Sequence, residues 1–192
     1  MDILKGRKLV LGSKSPRRSQ LLTEAGIPFD IRVQDCAEDF DTSIPVLEVP
    51  GILAARKADA LLFSLTKEEI LLTADSVVIS KGIIYNKPAD FEEGMQMLKA
   101  LAGKTHTVAT GVCLTARHHK QSFTVITEIT FDTMTEAEMA YYLTTYNPYD
   151  KAGSYGIQDW IGLCKVKRIE GSYSNVMGLP IREVYHSLLQ FP

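Results

Sequence analysis

The side chains that could do chemistry fall in a few short stretches. In LVLGSKSPRRSQLL, residues 9–22, Lys14, Arg17 and Arg18 surround the expected start of a helix. A helix N-terminus already carries roughly +0.5 of a charge, so cations there are mildly unfavourable. Backbone N–H groups at a helix start, together with arginine forks, make a natural phosphate site, and Gly12 would let an anion come close to the backbone. The alternative is a helix capped by Ser15, with Pro16 at its first position and its arginines in solvent. Asp75 interrupts the apolar run ILLTADSVVIS. An ionised carboxylate there must be paired, hydrogen-bonded or metal-bound, or else sit at a strand end among backbone donors. In VPGILAARKADALL, Lys57 lies four residues after Leu53 and four before Leu61, on one helical stripe. It either snorkels to solvent or serves a ligand. Lys87, in YNKP, is held extended by Pro88. Gln158 follows the glycine-rich KAGSYGI, and its amide can both donate to and accept from a base edge.

These residues need a scaffold to position them. KLVLGS (8–13) reads as a strand, followed by a helix from Pro16 to about Gly26 and by FDIRVQ as a second strand. The acidic loop DCAEDFDTSIP leads to a helix from about Val49 to Leu65, then to ILLTADSVVIS as a central strand. DFEEGMQMLKALAG is an amphipathic helix closed by Gly103, and two long strands, about 105–116 and 121–133, are joined by RHHKQ. Thr135 and Glu138 have capping-box spacing at the head of TEAEMAYYLTTY. NPYDKAGSYGIQD reads as a loop, IGLCKVKRIEG as a strand and PIREVYHSLLQ as a terminal helix. Strands and helices mix without strict alternation, so the expected fold is α/β: a mixed, twisted sheet flanked by helices, in a single domain over 1–192.

Composition narrows the function classes. A net charge of −2 argues against nucleic acid as a partner, which would ask for clustered Lys and Arg. Cys36, Cys113 and Cys164 are odd in number and form no CxxC pair, so buried reduced thiols are expected rather than a zinc knuckle or a disulfide framework. No apolar run approaches the roughly 20 residues of a membrane helix, and no apolar leader opens the chain, so a cytoplasmic setting is expected. Two nucleotide motifs are excluded: GKT at 103–105 would need glycine at the position of Leu98 to be a Walker A loop, and no GxGxxG occurs. His118 and His119 are read as hairpin-tip surface and His106 as structural.

In order, SKSPRRSQLL, the acidic loop with Glu38, RKA at 56–58, TADSVV, NKP, HTVATGV, PYDKAGSYGIQ and EGSYSNVMGLP resemble the Maf family of nucleoside triphosphate pyrophosphatases over nearly the whole chain. The resemblance implies a fold similar to that of the inosine triphosphate pyrophosphatases. It also implies house-cleaning hydrolysis of the α–β phosphoanhydride, giving a nucleoside monophosphate and pyrophosphate with a divalent metal, Mg or Mn. It makes Asp75 the proton acceptor, with Ser15, Arg18, Glu38, Lys57, Lys87 and Gln158 lining the site. Asp75 and Glu38 are then the carboxylates for the metal, since a carboxylate is better suited to holding a cation and orienting water than to removing a proton unaided. Lys57, Lys87 and Arg18 would answer the charge on the α-phosphoryl oxygens and the leaving pyrophosphate.

At three specificity positions, Arg17, Ser76 and Gln158, the chain is similar to the branch that prefers dTTP and UTP. Threonine is commoner at position 76, and serine keeps the hydroxyl while losing a methyl. The methylated-guanine branch tends instead to a Trp in the turn and an acidic residue in place of Gln158. The partner expected is a nucleoside triphosphate, with no nucleic acid and no membrane; a homodimer is left open. A second reading is a nucleotide-binding regulator of cell division and septum formation. It could dispense with Asp75 and keep the arginines, but Asp75, Glu38, Lys57 and Lys87 are all present.

Overall fold

The computed structural model describes residues 3–192. Its elements run β1 (Lys8–Leu11), α1 (Pro16–Glu24), β2 (Asp30–Ile31), α2 (Val49–Leu61), β3 (Glu69–Ser80), β4 (Ile83–Tyr85), α3 (Phe91–Leu101), β5 (Thr105–Ala116), β6 (His119–Phe131), α4 (Glu136–Tyr146), α5 (Trp160–Cys164), β7 (Val166–Glu170), α6 (Tyr173–Met177) and α7 (Ile181–Gln190). The sheet has seven strands in the order β2-β1-β3-β5-β6-β7, with β4 paired to β3. β1 pairs in parallel with β2 and β3, whereas β4 on β3 and β7 on β6 are antiparallel, so the sheet is mixed as expected. β3 is buried along its length except at Asp75 and Ser76, which are half-buried. That is why a mostly apolar run marks it, with Asp75 and Ser76 as the polar notch near its middle.

The chain divides into two compact units, one of Met1–Asp75, Thr110–Val125 and Gly178–Pro192, the other of Ser76–Ala109 and Ile126–Met177. In the first unit Val10, Ala54, Ala58, Leu61, Leu71 and Cys113 make a buried cluster between α2 and the strands. The buried Thr73 hydroxyl of β3 donates to the Ala54 carbonyl of α2 at 2.7 Å. This bond lies three residues before Lys57 and two before Asp75, so it fixes α2 against β3 close to both.

In the second unit the rings of His106, Phe131 and Tyr155 meet edge-on, with centroids 4.8–5.4 Å apart. His106 Nε2 shares a 2.7 Å hydrogen bond with the Tyr155 hydroxyl, and its Nδ1 has no partner among the described residues. Burial pushes the His106 pKa down to about 4, which keeps the ring neutral. α4 carries the expected capping box between Thr135 and Glu138. In α3, Asp90 accepts the Glu93 N–H at 2.9 Å.

Several local expectations are corrected. Ser15 stands at the N-cap of α1 but its side chain makes no cap bond; its own N–H donates to Ser13 Oγ at 3.2 Å. FDIRVQ shortens to the two-residue β2, and α2 ends at Leu61 in a 3-10 turn, Leu62–Ser64. The strand expected over IGLCKVKRIEG is a short helix, α5, followed by β7. The three cysteines are free, but Cys164 is exposed rather than buried. Among the described residues no helix is long and apolar enough to cross a membrane.

Candidate active site

In the first unit three elements deliver three charged side chains to one point. α2 supplies Lys57, β3 supplies Asp75, and the irregular segment after β2 supplies Glu38. Lys57 Nζ lies 2.5 Å from Asp75 Oδ1 and 2.7 Å from Glu38 Oε1. The Lys57 and Asp75 side chains are only 16% and 14% exposed whereas Glu38 is 56% exposed, so the inner pair is nearly dry and the outer carboxylate is open to water. Burial pulls the Lys57 ammonium down, but the attraction of Asp75 and Glu38 is greater, and its pKa stands above the usual lysine value. Lys57 is therefore a firm cation. The snorkelling alternative is excluded by these contacts.

The Glu38 segment has no ladder to hold it. Arg56, the residue before Lys57, takes that role: its Nη1 donates to the carbonyls of Ala37 (2.9 Å) and Asp39 (2.6 Å), on either side of Glu38. Consecutive residues of α2 thus grip the backbone and the side chain of the same loop. Arg56 was not singled out in the sequence; its only signal there is its place in RKA.

Arg18 of α1 donates through Nε to the Gly178 carbonyl at 2.8 Å and through Nη1 to Ser13 Oγ at 3.1 Å and the Ala74 carbonyl at 2.8 Å. It braces the peptide immediately before Asp75. Burial lowers its pKa and Asp75 raises it, but an arginine begins so far above neutrality that it stays charged. Carbonyls and a nearby carboxylate thus answer one of the awkward cations from within the protein. Lys14 is exposed and paired with Asp35 at 3.0 Å. Arg17 is half-buried in the first turn of α1 and Ser15 half-buried at its cap. Gly12 has a packing reason beside the expected one: a Cβ there would lie 2.6 Å from Thr73 Cγ2.

Ser76, Lys87 and Gln158 belong to the second unit. Ser76 is half-buried in β3, and Lys87 is exposed beside a buried Pro88. Gln158 is half-buried in a turn described below. The segment ahead of that turn is pinned where the Gly153 N–H donates to the Asn86 carbonyl at 3.1 Å.

Two carboxylates converging on one cation-sized point are a donor set that suits a hard divalent ion. Among the described residues no group of three or more His, Cys, Asp or Glu side chains gathers. The side chains here that could hold such an ion are Asp75 and Glu38, and a divalent ion bound by few protein ligands keeps waters and substrate phosphates as the rest. Asp75, Glu38, Lys57 and Arg18 together balance their charges. Such a group can hold a polyanion and its counter-ion and take up a proton.

Comparison with known proteins places the chain in a family. The family model described as Maf-like protein matches residues 8–191. A Porphyromonas gingivalis protein named dTTP/UTP pyrophosphatase is 45% identical over 100% of this chain and 98% of its own length. Proteins of the same name from Bacteroides fragilis and Parabacteroides distasonis are 43% and 42% identical, covering 95% and 100% of both chains respectively. Among solved structures, the Ham1 protein of Staphylococcus aureus overlays with a TM-score of 0.45 at 12% identity, over 65% of this chain and 72% of that one. With a family model spanning almost every residue and relatives above 40% identity end to end, the chain belongs to the Maf-like protein family.

Proposed function

We propose that this protein hydrolyses nucleoside triphosphates, dTTP and UTP above others, to the nucleoside monophosphate and pyrophosphate, as one domain acting on cytoplasmic nucleotide pools. The observation that carries the chemistry is the Lys57 ammonium held between the Asp75 and Glu38 carboxylates. The printed names of relatives 42–45% identical over nearly the full chain support the substrate.

In the proposed reaction a water oxygen bonds to the α-phosphorus while the bond from that phosphorus to the α–β bridging oxygen breaks. The water's proton passes to the Asp75 carboxylate, and pyrophosphate leaves with the bridging oxygen. Lys57 and Arg18 oppose the charge that gathers on the phosphoryl oxygens and the leaving group, the main source of catalysis in phosphoryl transfer. A Mg²⁺ or Mn²⁺ ion held by Asp75 and Glu38 would supply further positive charge and lower the pKa of a water. Ser15 is proposed to line the substrate site, Lys87 to act with Lys57 and Arg18 on the charge of the phosphoryl oxygens and leaving group, and Arg17 and Ser76 to shape the base pocket that Gln158 reads.

The test is product identification across dTTP, UTP, CTP and GTP with Mg²⁺ or Mn²⁺. Monophosphate and pyrophosphate, fastest from dTTP and UTP, are expected. Orthophosphate with a diphosphate product would mean that a different bond is cut.

A further inference from the structure

Gln158 sits in a four-residue turn: the Asp159 N–H donates to the Gly156 carbonyl at 3.1 Å, leaving Ile157 and Gln158 as the central pair. Both ends of this turn meet one atom. The Tyr142 hydroxyl of α4 accepts the Gly156 N–H at 2.9 Å and donates to Asp159 Oδ2 at 2.7 Å. The Tyr142 side chain is fully buried and stacks on Tyr146, with centroids 5.2 Å apart. Burial raises its pKa, with help from the Asp159 carboxylate, so the hydroxyl keeps the proton it donates.

The turn is also closely packed. A Cβ at Gly156 would lie 2.6 Å from Asp159 Oδ2 and 3.0 Å from Gln158 Nε2, so the carboxylate and the Gln158 amide both fold over the bare α-carbon. A Cβ at Gly162 of α5 would fall 1.7 Å from the Ile157 carbonyl oxygen, so α5 seats directly on the turn backbone. Ile157 is 3% exposed and anchors inward, which leaves Gln158 as the half-buried one of the central pair. Just upstream, Ser154 is fully buried in left-handed backbone (φ 61°), and its Oγ has no partner among the described residues. Strain and an unmet hydroxyl persist only where the surroundings over-determine the conformation.

We propose that Tyr142 and Asp159 are positioning residues for base selection: the hydroxyl–carboxylate clamp fixes the turn that aims the Gln158 amide, and so sets discrimination without touching substrate. The inference rests on the proposed role of Gln158 as the reader of the base. A hydrogen-bonding site discriminates only as well as its donor and acceptor are held in place. The neutral buried hydroxyl is bonded at both ends, and the charged member of the clamp, the Asp159 carboxylate, also lies 3.9 Å from Lys151 Nζ.

The experiment compares kcat/KM for UTP and CTP in the wild type, Tyr142→Phe, Asp159→Asn, Asp159→Leu and Gln158→Ala, with melting curves for each. Tyr142→Phe keeps the ring and removes both bonds. The UTP:CTP ratio should fall about fivefold or more, the scale of one lost hydrogen bond, while kcat for UTP stays within about threefold. Asp159→Asn, which still accepts from the hydroxyl, should keep the ratio, and Asp159→Leu should lose it. The Asp159 pair carries the same test if Tyr142→Phe does not fold. A folded Tyr142→Phe or Asp159→Leu with lower melting temperature and an unchanged ratio overturns the clamp and makes these residues merely structural. If Gln158→Ala collapses the ratio while the clamp variants do not, the reader stands and the clamp falls. An unchanged ratio in Gln158→Ala removes both.

Discussion

Around Lys57, one ammonium is shared by two carboxylates, and the outer one, Glu38, is more than half exposed. Around Tyr142, a buried neutral hydroxyl ties both ends of a turn, and glycines let side chain and helix close on it. The first arrangement is charged and open on one side, so an incoming polyanion or cation can redistribute its ion pairs. The second is held at both ends of its turn by the hydrogen bonds of one buried hydroxyl, with the Asp159 carboxylate 3.9 Å from Lys151 Nζ. The contrast suits different tasks: bond cleavage needs groups that move charge and protons, whereas base selection needs groups that stay still.

The contrast breaks most sharply at Asp75. Asp75→Asn keeps the side chain's shape and removes its charge and its capacity to take a proton. Turnover should fall by about a hundredfold or more, the range of general acid–base catalysis, with nucleotide affinity retained and the ratios among dTTP, UTP and CTP unchanged. Steady-state kinetics with calorimetric binding check this. Near-normal turnover would dismiss Asp75 as the base, and altered base ratios would show that the two regions are not separable.

The next largest effect concerns acid. His106 is held neutral with a pKa of about 4 by burial, against an ordinary value near 6.5 in the unfolded chain. Between those values the unfolded state binds the proton and the folded state does not. Stability is therefore full above about pH 6.5 and declines as pH falls toward 4, by about 3 kcal/mol in all. Lys57 has the opposite sign: its raised pKa contributes stability that is present at neutral pH and is lost as alkaline pH passes through that raised value. The neutral aromatic cluster is thus one acid-sensitive region of the fold. Urea midpoints measured from pH 7 to 4 should be flatter in His106→Gln than in the wild type, and parallel curves would reject the assignment.

Much of this was legible in the sequence because it is local. β3 announces itself by a mostly apolar run with Asp75 and Ser76 in its notch, α4 by its capping box, and Lys57 by the stripe it shares with Leu53 and Leu61, both buried. What was missed depends on partners distant in the chain or on elements too short to show a period. α5 and α6 span five residues each, little more than one turn. In α5, Gly162 lies against the Ile157 carbonyl, a contact no hydrophobic pattern encodes. The Glu38–Lys57–Asp75 meeting joins an irregular loop, a helix and a strand, so the residues declared themselves singly and the geometry did not. Tyr142 was not singled out in the sequence, and only the fold reveals what its hydroxyl holds.

The central claim, that the Lys57–Asp75–Glu38 region directs water at the α-phosphorus, is tested most directly by turnover of UTP in ¹⁸O-labelled water followed by mass analysis of the products. The account predicts one labelled oxygen in UMP and none in pyrophosphate. Label in the pyrophosphate, or UDP with labelled orthophosphate, would contradict it.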